Sequence, residues 1–94
     1  GRVGCLMCNT AIEVAPHDRQ AAAKVREHMA HLRSSFRTNL AEAQSSGEIA
    51  SDADLEPLSE FLTTAVYTIG FLVRSGQDDD YVHRHIRNTL AALP

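Results

Sequence analysis

Two cysteines near the start of the chain are the first residues whose type and spacing could do chemistry. Cys5 and Cys8 form a C-x-x-C motif, which in a helix places both sulfurs on one face. Cys5 lies near the predicted N-terminus of that helix, where the helix dipole stabilises a thiolate. A dithiol redox centre is the chemistry that this arrangement would support. We favour the alternative, in which both cysteines pack as small apolar residues of a buried helix.

Histidines and acids elsewhere in the chain are candidate metal ligands. His28 and His31 are three residues apart, but no third ligand joins them, and a zinc site needs three or four. Asp79 and Asp80 precede His83, yet acids at this position also suit the positive end of a helix dipole. The sequence has no glycine-rich phosphate loop and no interpretable Ser-His-Asp set. It therefore predicts no metal, no cofactor and no enzyme activity.

The composition is typical of one small globular domain that does not bind nucleic acid by itself. The chain has 94 residues, of which 44% are apolar and 22% charged, and its net charge is −3. Its nine lysines and arginines are scattered among twelve acids, so we see no basic stripe that could neutralise phosphates. No apolar run approaches the roughly 18 residues of a membrane span, and two cysteines are too few for a secreted disulfide framework. We expect a cytoplasmic protein without a membrane partner.

Helical periodicity predicts two helices in the first half of the chain. The first, at about 5–15, is apolar on nearly every side, so we expect it to be buried until Pro16 ends it. The second, at about 18–46, has a one-sided apolar stripe, with Asp18 as its N-cap and Gly47 directly after its end. Because an apolar segment starts the chain almost at once, we also expect that an N-terminal part of a longer protein precedes it.

The third predicted helix, at about 54–75, is the element around which the others are arranged. Leucine, isoleucine and valine fill one face, and the neighbouring arc with Thr64, Thr68 and Phe71 carries no charge. The uncharged surface spans roughly 220°, whereas one core contact needs about 100°. We therefore expect this helix to pack on its own chain and on a second copy. A fourth helix at about 79–93 completes an all-α domain of four helices without strands.

Three stretches of the sequence resemble the C-terminal regulatory domain of tetracycline-repressor-like (TetR) transcription regulators. The most distinctive stretch is GCLMCNTAIEVAPHD, from Gly4 to Asp18. It is followed by KVREHMAHLRSSFRTNLAEAQSSGEI and by DADLEPLSEFLTTAVYTIGFLVRSG, so the resemblance covers nearly the whole chain in order. In that family these segments are the last four helices, and an N-terminal helix-turn-helix domain binds operator DNA. The resemblance implies that residues 1–94 are a single regulatory and dimerisation domain, with the DNA-binding domain outside this chain.

The resemblance further implies a homodimer. In the family, the last two helices pair with those of a second copy in a four-helix bundle. The implied interface residues are Phe61, Thr64, Thr68, Phe71, His85 and Thr89.

A pocket for a small apolar or amphipathic effector is also implied, between the first two predicted helices. The candidate contacts are Cys5, Asn9, Ile12, Met29 and Phe36, each of which could instead be an ordinary core residue. Effector binding would favour one spacing of the two DNA-binding domains and so release the operator, as in a repressor.

Two other functions fit parts of the sequence. A ligand-free helical dimerisation module would use the first predicted helix only to fill its core. A redox protein resembling the AhpD-like family would use Cys5 and Cys8. In that family a histidine follows the second cysteine after three intervening residues, whereas this chain has Ile12 at that position.

Overall fold

The computed structural model describes residues 13–94, and these residues form three α-helices without a strand. Helix α1 spans Arg19–Ser45, α2 spans Leu55–Arg74 and α3 spans Asp79–Ala91. A single 3₁₀ turn, Ala15–His17, precedes α1 and packs against it.

Three of the four predicted helices are confirmed, with bounds that differ by at most two residues at either end. The predictions at 18–46, 54–75 and 79–93 correspond to α1, α2 and α3. The helix predicted at 5–15 lies mainly outside the described residues. Its predicted end at Pro16 falls within the 3₁₀ turn.

Aspartates start all three helices, as the sequence predicted for α1. The Asp18 carboxylate accepts hydrogen bonds from the backbone N–H groups of Gln20 and Ala21, at 2.9 and 3.2 Å. These two donors would otherwise have no partner in the first turn. At the other end of α1, Gly47 has a φ of 84°, a left-handed conformation that glycine adopts without strain. Local capping therefore fixes both ends of this long helix.

Substitution of Asp18 by alanine should lower the free energy of unfolding by about 1 kcal/mol, because two N–H donors lose their acceptor. Urea denaturation followed by far-UV circular dichroism would measure the loss. Asp18→Asn is the matched control, since its side-chain oxygen can still accept, and it should retain most of the stability. Equal losses for the two variants would show that the negative charge of Asp18, and not its hydrogen-bond acceptor, stabilises the helix.

The three helices form a thin slab, with α2 in the middle. Two side-chain contacts show that α1 and α2 are antiparallel. The His28 imidazole is hydrogen-bonded to the Tyr67 hydroxyl. Further along α1, Arg37 forms a salt bridge with Glu56, which lies before Tyr67 in α2. Helix α3 packs on α2 as well, whereas α1 and α3 hardly touch each other. The Cα atoms accordingly extend over 42 × 33 × 15 Å. Among the described residues, α2 thus has a neighbouring helix on two sides and none on the other two.

The side of α2 that faces α1 is made of small polar residues rather than of its leucines. Ser59 is 0% exposed and Thr63 is 3% exposed, and they are the most deeply buried residues of the helix. Their hydroxyls donate to carbonyls of their own helix: Ser59 Oγ to Glu56 O at 2.8 Å, and Thr63 Oγ1 to Ser59 O at 2.7 Å. Because these side chains are short and satisfied locally, α1 can approach closely.

The described part of the chain buries few apolar side chains. Val66, which the periodicity placed on the core face of α2, is instead 38% exposed. The buried apolar residues are Val25, Leu40, Ile49, Ala65 and Leu72. A slab with so small a core needs further cover on its open sides.

Candidate dimerisation face and ligand site

One open side of α2 carries the four interface residues predicted on this helix. At 100° per residue, Phe61, Thr64, Thr68 and Phe71 fall within an arc of about 80°. Phe61 is 41% exposed and Phe71 is 55% exposed. The Thr68 hydroxyl donates to the carbonyl oxygen of Thr64 at 3.0 Å, so it needs no partner outside the helix. The result is an uncharged face with two protruding aromatic rings, which we call the α2 face.

One of the two interface residues predicted on α3, His85, contacts α2. His85 is half-buried, and its Nε2 lies 3.2 Å from the carbonyl oxygen of Ala65, next to Thr64 of the α2 face. The Thr89 hydroxyl donates to the carbonyl oxygen of His85 at 2.8 Å, within α3 itself. The structure therefore brings His85 to the edge of the α2 face.

Only two of the five predicted ligand contacts lie within the described residues. Met29 is 36% exposed, whereas Phe36 is half-buried, and both lie on one side of α1 about 10 Å apart along its axis. Cys5, Asn9 and Ile12 lie outside the described residues.

Phe36 lines an open groove of about 500 Å³ between α1, α2 and the C-terminal end of α3. Most of its lining is apolar, and Leu90 at its edge is 59% exposed. We call this opening the distal groove, since it lies at the end of α1 that is far from the start of the chain. The sequence did not predict this groove. In the sequence, Leu90 is one of the regularly spaced apolar residues of a short amphipathic helix. The apolar lining residues are Phe36, Leu40, Ala43, Ile49, Leu62, Leu90, Leu93 and Pro94.

Of the residues first considered as metal ligands, His28 contacts another side chain. His28 meets Tyr67, with their rings edge-on at a centroid distance of 5.8 Å. In the first turn of α3, Asp78 accepts a hydrogen bond from the N–H of Tyr81 at 2.8 Å, as an N-cap does. Across residues 13–94, no group of three or more His, Cys, Asp or Glu side chains could hold a metal ion. No helix of this range is long and apolar enough to cross a membrane.

A comparison with models of known protein families identifies the family of this chain. Residues 2–89 match the model of the tetracyclin repressor-like C-terminal domain. The chain belongs to this family. The resemblance inferred from the sequence is thereby confirmed, and the all-α architecture of this tetracyclin repressor-like domain agrees with it.

A curated relative of this chain is a longer protein. The chain is 28% identical over 90 residues to the uncharacterized HTH-type transcriptional regulator YezE of Bacillus subtilis (strain 168). The matched region covers 95% of this chain but 46% of YezE, so the domain spans less than half the length of that relative. No solved structure gives a significant match.

Proposed function

We propose that this tetracyclin repressor-like domain is the ligand-sensing and dimerising half of a bacterial TetR-family repressor. A helix-turn-helix domain outside residues 1–94 would bind the operator DNA, in keeping with the name of YezE as an HTH-type transcriptional regulator. The regulator would act in the cytoplasm as a homodimer, without enzyme activity. The observation that carries the proposal is the uncharged α2 face with its two exposed phenylalanines.

The α2 face has the properties of a homodimer interface. Exposed aromatic rings surrounded by uncharged residues are typical of the centre of such an interface, where charged residues are depleted. Two copies of the α2–α3 pair would form the four-helix bundle, with Phe61 and Phe71 at its centre and with Thr64, Thr68, His85 and Thr89 around them.

The ligand in this proposal is a small apolar or amphipathic molecule. It would bind between the segment predicted as a helix at 5–15 and the apolar side of α1, with contacts from Cys5, Asn9, Ile12, Met29 and Phe36. Exposed Met29 supports this placement, since an unbranched thioether side chain adapts to different ligand shapes. Binding would favour one spacing of the two DNA-binding domains and so weaken operator binding.

The molar mass of the chain in solution tests dimerisation. Light scattering across a dilution series should give twice the chain mass of 10.3 kDa. The double variant Phe61→Arg, Phe71→Arg should give a folded monomer, because it would bring four unpaired cations into the interface.

Leu90→Arg is the matched control for this measurement. Leu90 is also an exposed apolar residue, at 59%, but it lines the distal groove instead of the α2 face. The control should remain a dimer. A chain that stays monomeric at high concentration would overturn the proposed function, and a dimer lost only in Leu90→Arg would move the interface to the distal groove.

A further inference from the structure

Four arginines lie along one edge of α1. At 100° per residue, Arg19, Arg26, Arg33 and Arg37 fall within an arc of about 40°. The first three follow one another at intervals of seven residues, so they are spaced roughly 10 Å apart along the helix axis. All four residues are exposed. We call Arg19, Arg26 and Arg33 the arginine row.

The arginine row has no acidic neighbour on its own helix. On a helix surface, the neighbours of a residue lie three and four positions away, and no such position around the row holds an Asp or Glu. The sequence-adjacent acids Asp18 and Glu27 point about 100° away. No carboxylate among residues 13–94 pairs with the row. The neighbouring residues are Ala15, Pro16, Ala22, Ala23, Met29, Ala30, Phe36 and Arg37.

The fourth arginine of the arc shows which group these side chains can bind. Arg37 forms a salt bridge with Glu56, a carboxylate that the neighbouring helix α2 supplies. Guanidinium groups suit this role, because their planar fork matches the two oxygens of a carboxylate. The arginine row presents the same group three more times, at positions where no described helix supplies an acid.

The surface beside the arginine row has room for a further helix. Ala23 and Ala30 repeat with the same seven-residue interval, about 40° from the row, and both are exposed. Their short side chains allow a partner to come close, and the arginine stems add apolar contact area. Met29 and Phe36, the effector contacts proposed on α1, lie on the other side of the row. A partner on the alanine side therefore leaves them free.

We propose that the arginine row, with Ala23 and Ala30, docks an acidic amphipathic helix whose carboxylates recur about every seven residues. Charges at this interval beside an apolar contact are the pattern by which one helix selects another along its length. Each carboxylate pairs with one arginine, as Glu56 pairs with Arg37. A polyanion fits less well, because three cations neutralise few phosphates and the chain has a net charge of −3. The inference goes beyond the proposed function, since it depends on neither the dimer nor the effector.

A synthetic helix tests the proposal. The probe is a fluorescein-labelled peptide of heptads with leucine at positions a and d and glutamate at e and g, and its anisotropy reports binding to the full chain. The triple variant Arg19→Gln, Arg26→Gln, Arg33→Gln should bind this peptide about tenfold more weakly than the unmodified chain, because it loses three ion pairs. Added salt should weaken the binding by the unmodified chain, since exposed ion pairs are screened.

The triple variant Lys24→Gln, Arg84→Gln, Arg87→Gln is the matched control. It removes the same charge from other exposed positions and should bind the glutamate peptide as the unmodified chain does. Charge reversal provides a second test. The double variant Arg26→Glu, Arg33→Glu should prefer the corresponding lysine peptide, which the unmodified chain should bind about tenfold more weakly than the glutamate peptide.

Four results would overturn the proposal. The first is no binding of the glutamate peptide by the unmodified chain. The second is equal weakening in the two triple variants, since binding would then follow overall charge. The third is equal binding of the lysine and glutamate peptides by the unmodified chain. The fourth is tighter binding of double-stranded DNA or phosphatidylglycerol vesicles than of the glutamate peptide, with loss in the arginine-row variant, which would make the occupant a polyanion.

Discussion

Substitution of Ser59 by leucine should lower the free energy of unfolding by about 3 kcal/mol. Ser59 is 0% exposed and faces α1 with its neighbour Thr63, which is 3% exposed. A leucine side chain at this position has no space, so it must push α1 away from α2 or adopt a strained rotamer. Urea denaturation at a fixed protein concentration, followed by circular dichroism at 222 nm, would measure the loss.

Ser59→Ala is the control that separates the volume of this residue from its hydroxyl group. The hydroxyl donates to the carbonyl oxygen of Glu56 in its own helix at 2.8 Å, so its removal leaves no donor of α1 unpaired. Alanine also has a higher helix propensity than serine, and the change should cost less than about 1 kcal/mol. If leucine were tolerated as well as alanine, close approach of α1 would not be the reason for a small residue here.

Removal of the Leu72 side chain should produce the second large loss, about 2–4 kcal/mol for Leu72→Ala. Leu72 is 7% exposed and lies on the side of α2 that faces α3, where Ala65 is also buried. With so few buried apolar residues in the described chain, the cavity would remove a substantial part of the contact that holds α3. For a domain of this size, the midpoint of thermal unfolding should fall by roughly 10–20 °C.

Leu90→Ala is the same chemical change at an exposed position. Leu90 is 59% exposed, so the truncation removes little buried area and should cost less than about 1 kcal/mol. Differential scanning calorimetry of both variants at one concentration makes the comparison. Comparable losses would mean that Leu90 is covered in solution, and the distal groove would then be an occupied surface.

The positions of the helices could be predicted from the sequence because each one begins and ends with a local signal. Asp18 and Asp54 cap their helices with their own side chains, and Gly47 and Gly76 adopt left-handed conformations after the helix ends. Such signals involve neighbouring residues, so they need no tertiary contact. Periodicity then placed Thr64, Thr68 and Phe71 in one uncharged arc, and Phe71 is 55% exposed.

The packing of α2 on α1 could not be predicted in the same way. A hydrophobicity wheel places Ser59 and Thr63 away from the core, because it counts their hydroxyls as polar and cannot see that carbonyls of the same helix satisfy them. The contact between His28 and Tyr67 joins residues 39 positions apart, and no local pattern indicates it. The distal groove likewise exists only where three helices meet.

The thin slab has a consequence for how the properties of such a regulator can change. Within residues 13–94, α2 forms a wall between the side with the distal groove and the side with the α2 face. Val73 and Phe71 are two residues apart, yet they point to opposite sides of this wall. A substitution that reshapes one side moves the backbone of the other. In the proposed function, ligand preference and subunit pairing would therefore not be independent traits along α2, and a substitution in this helix would have to satisfy both.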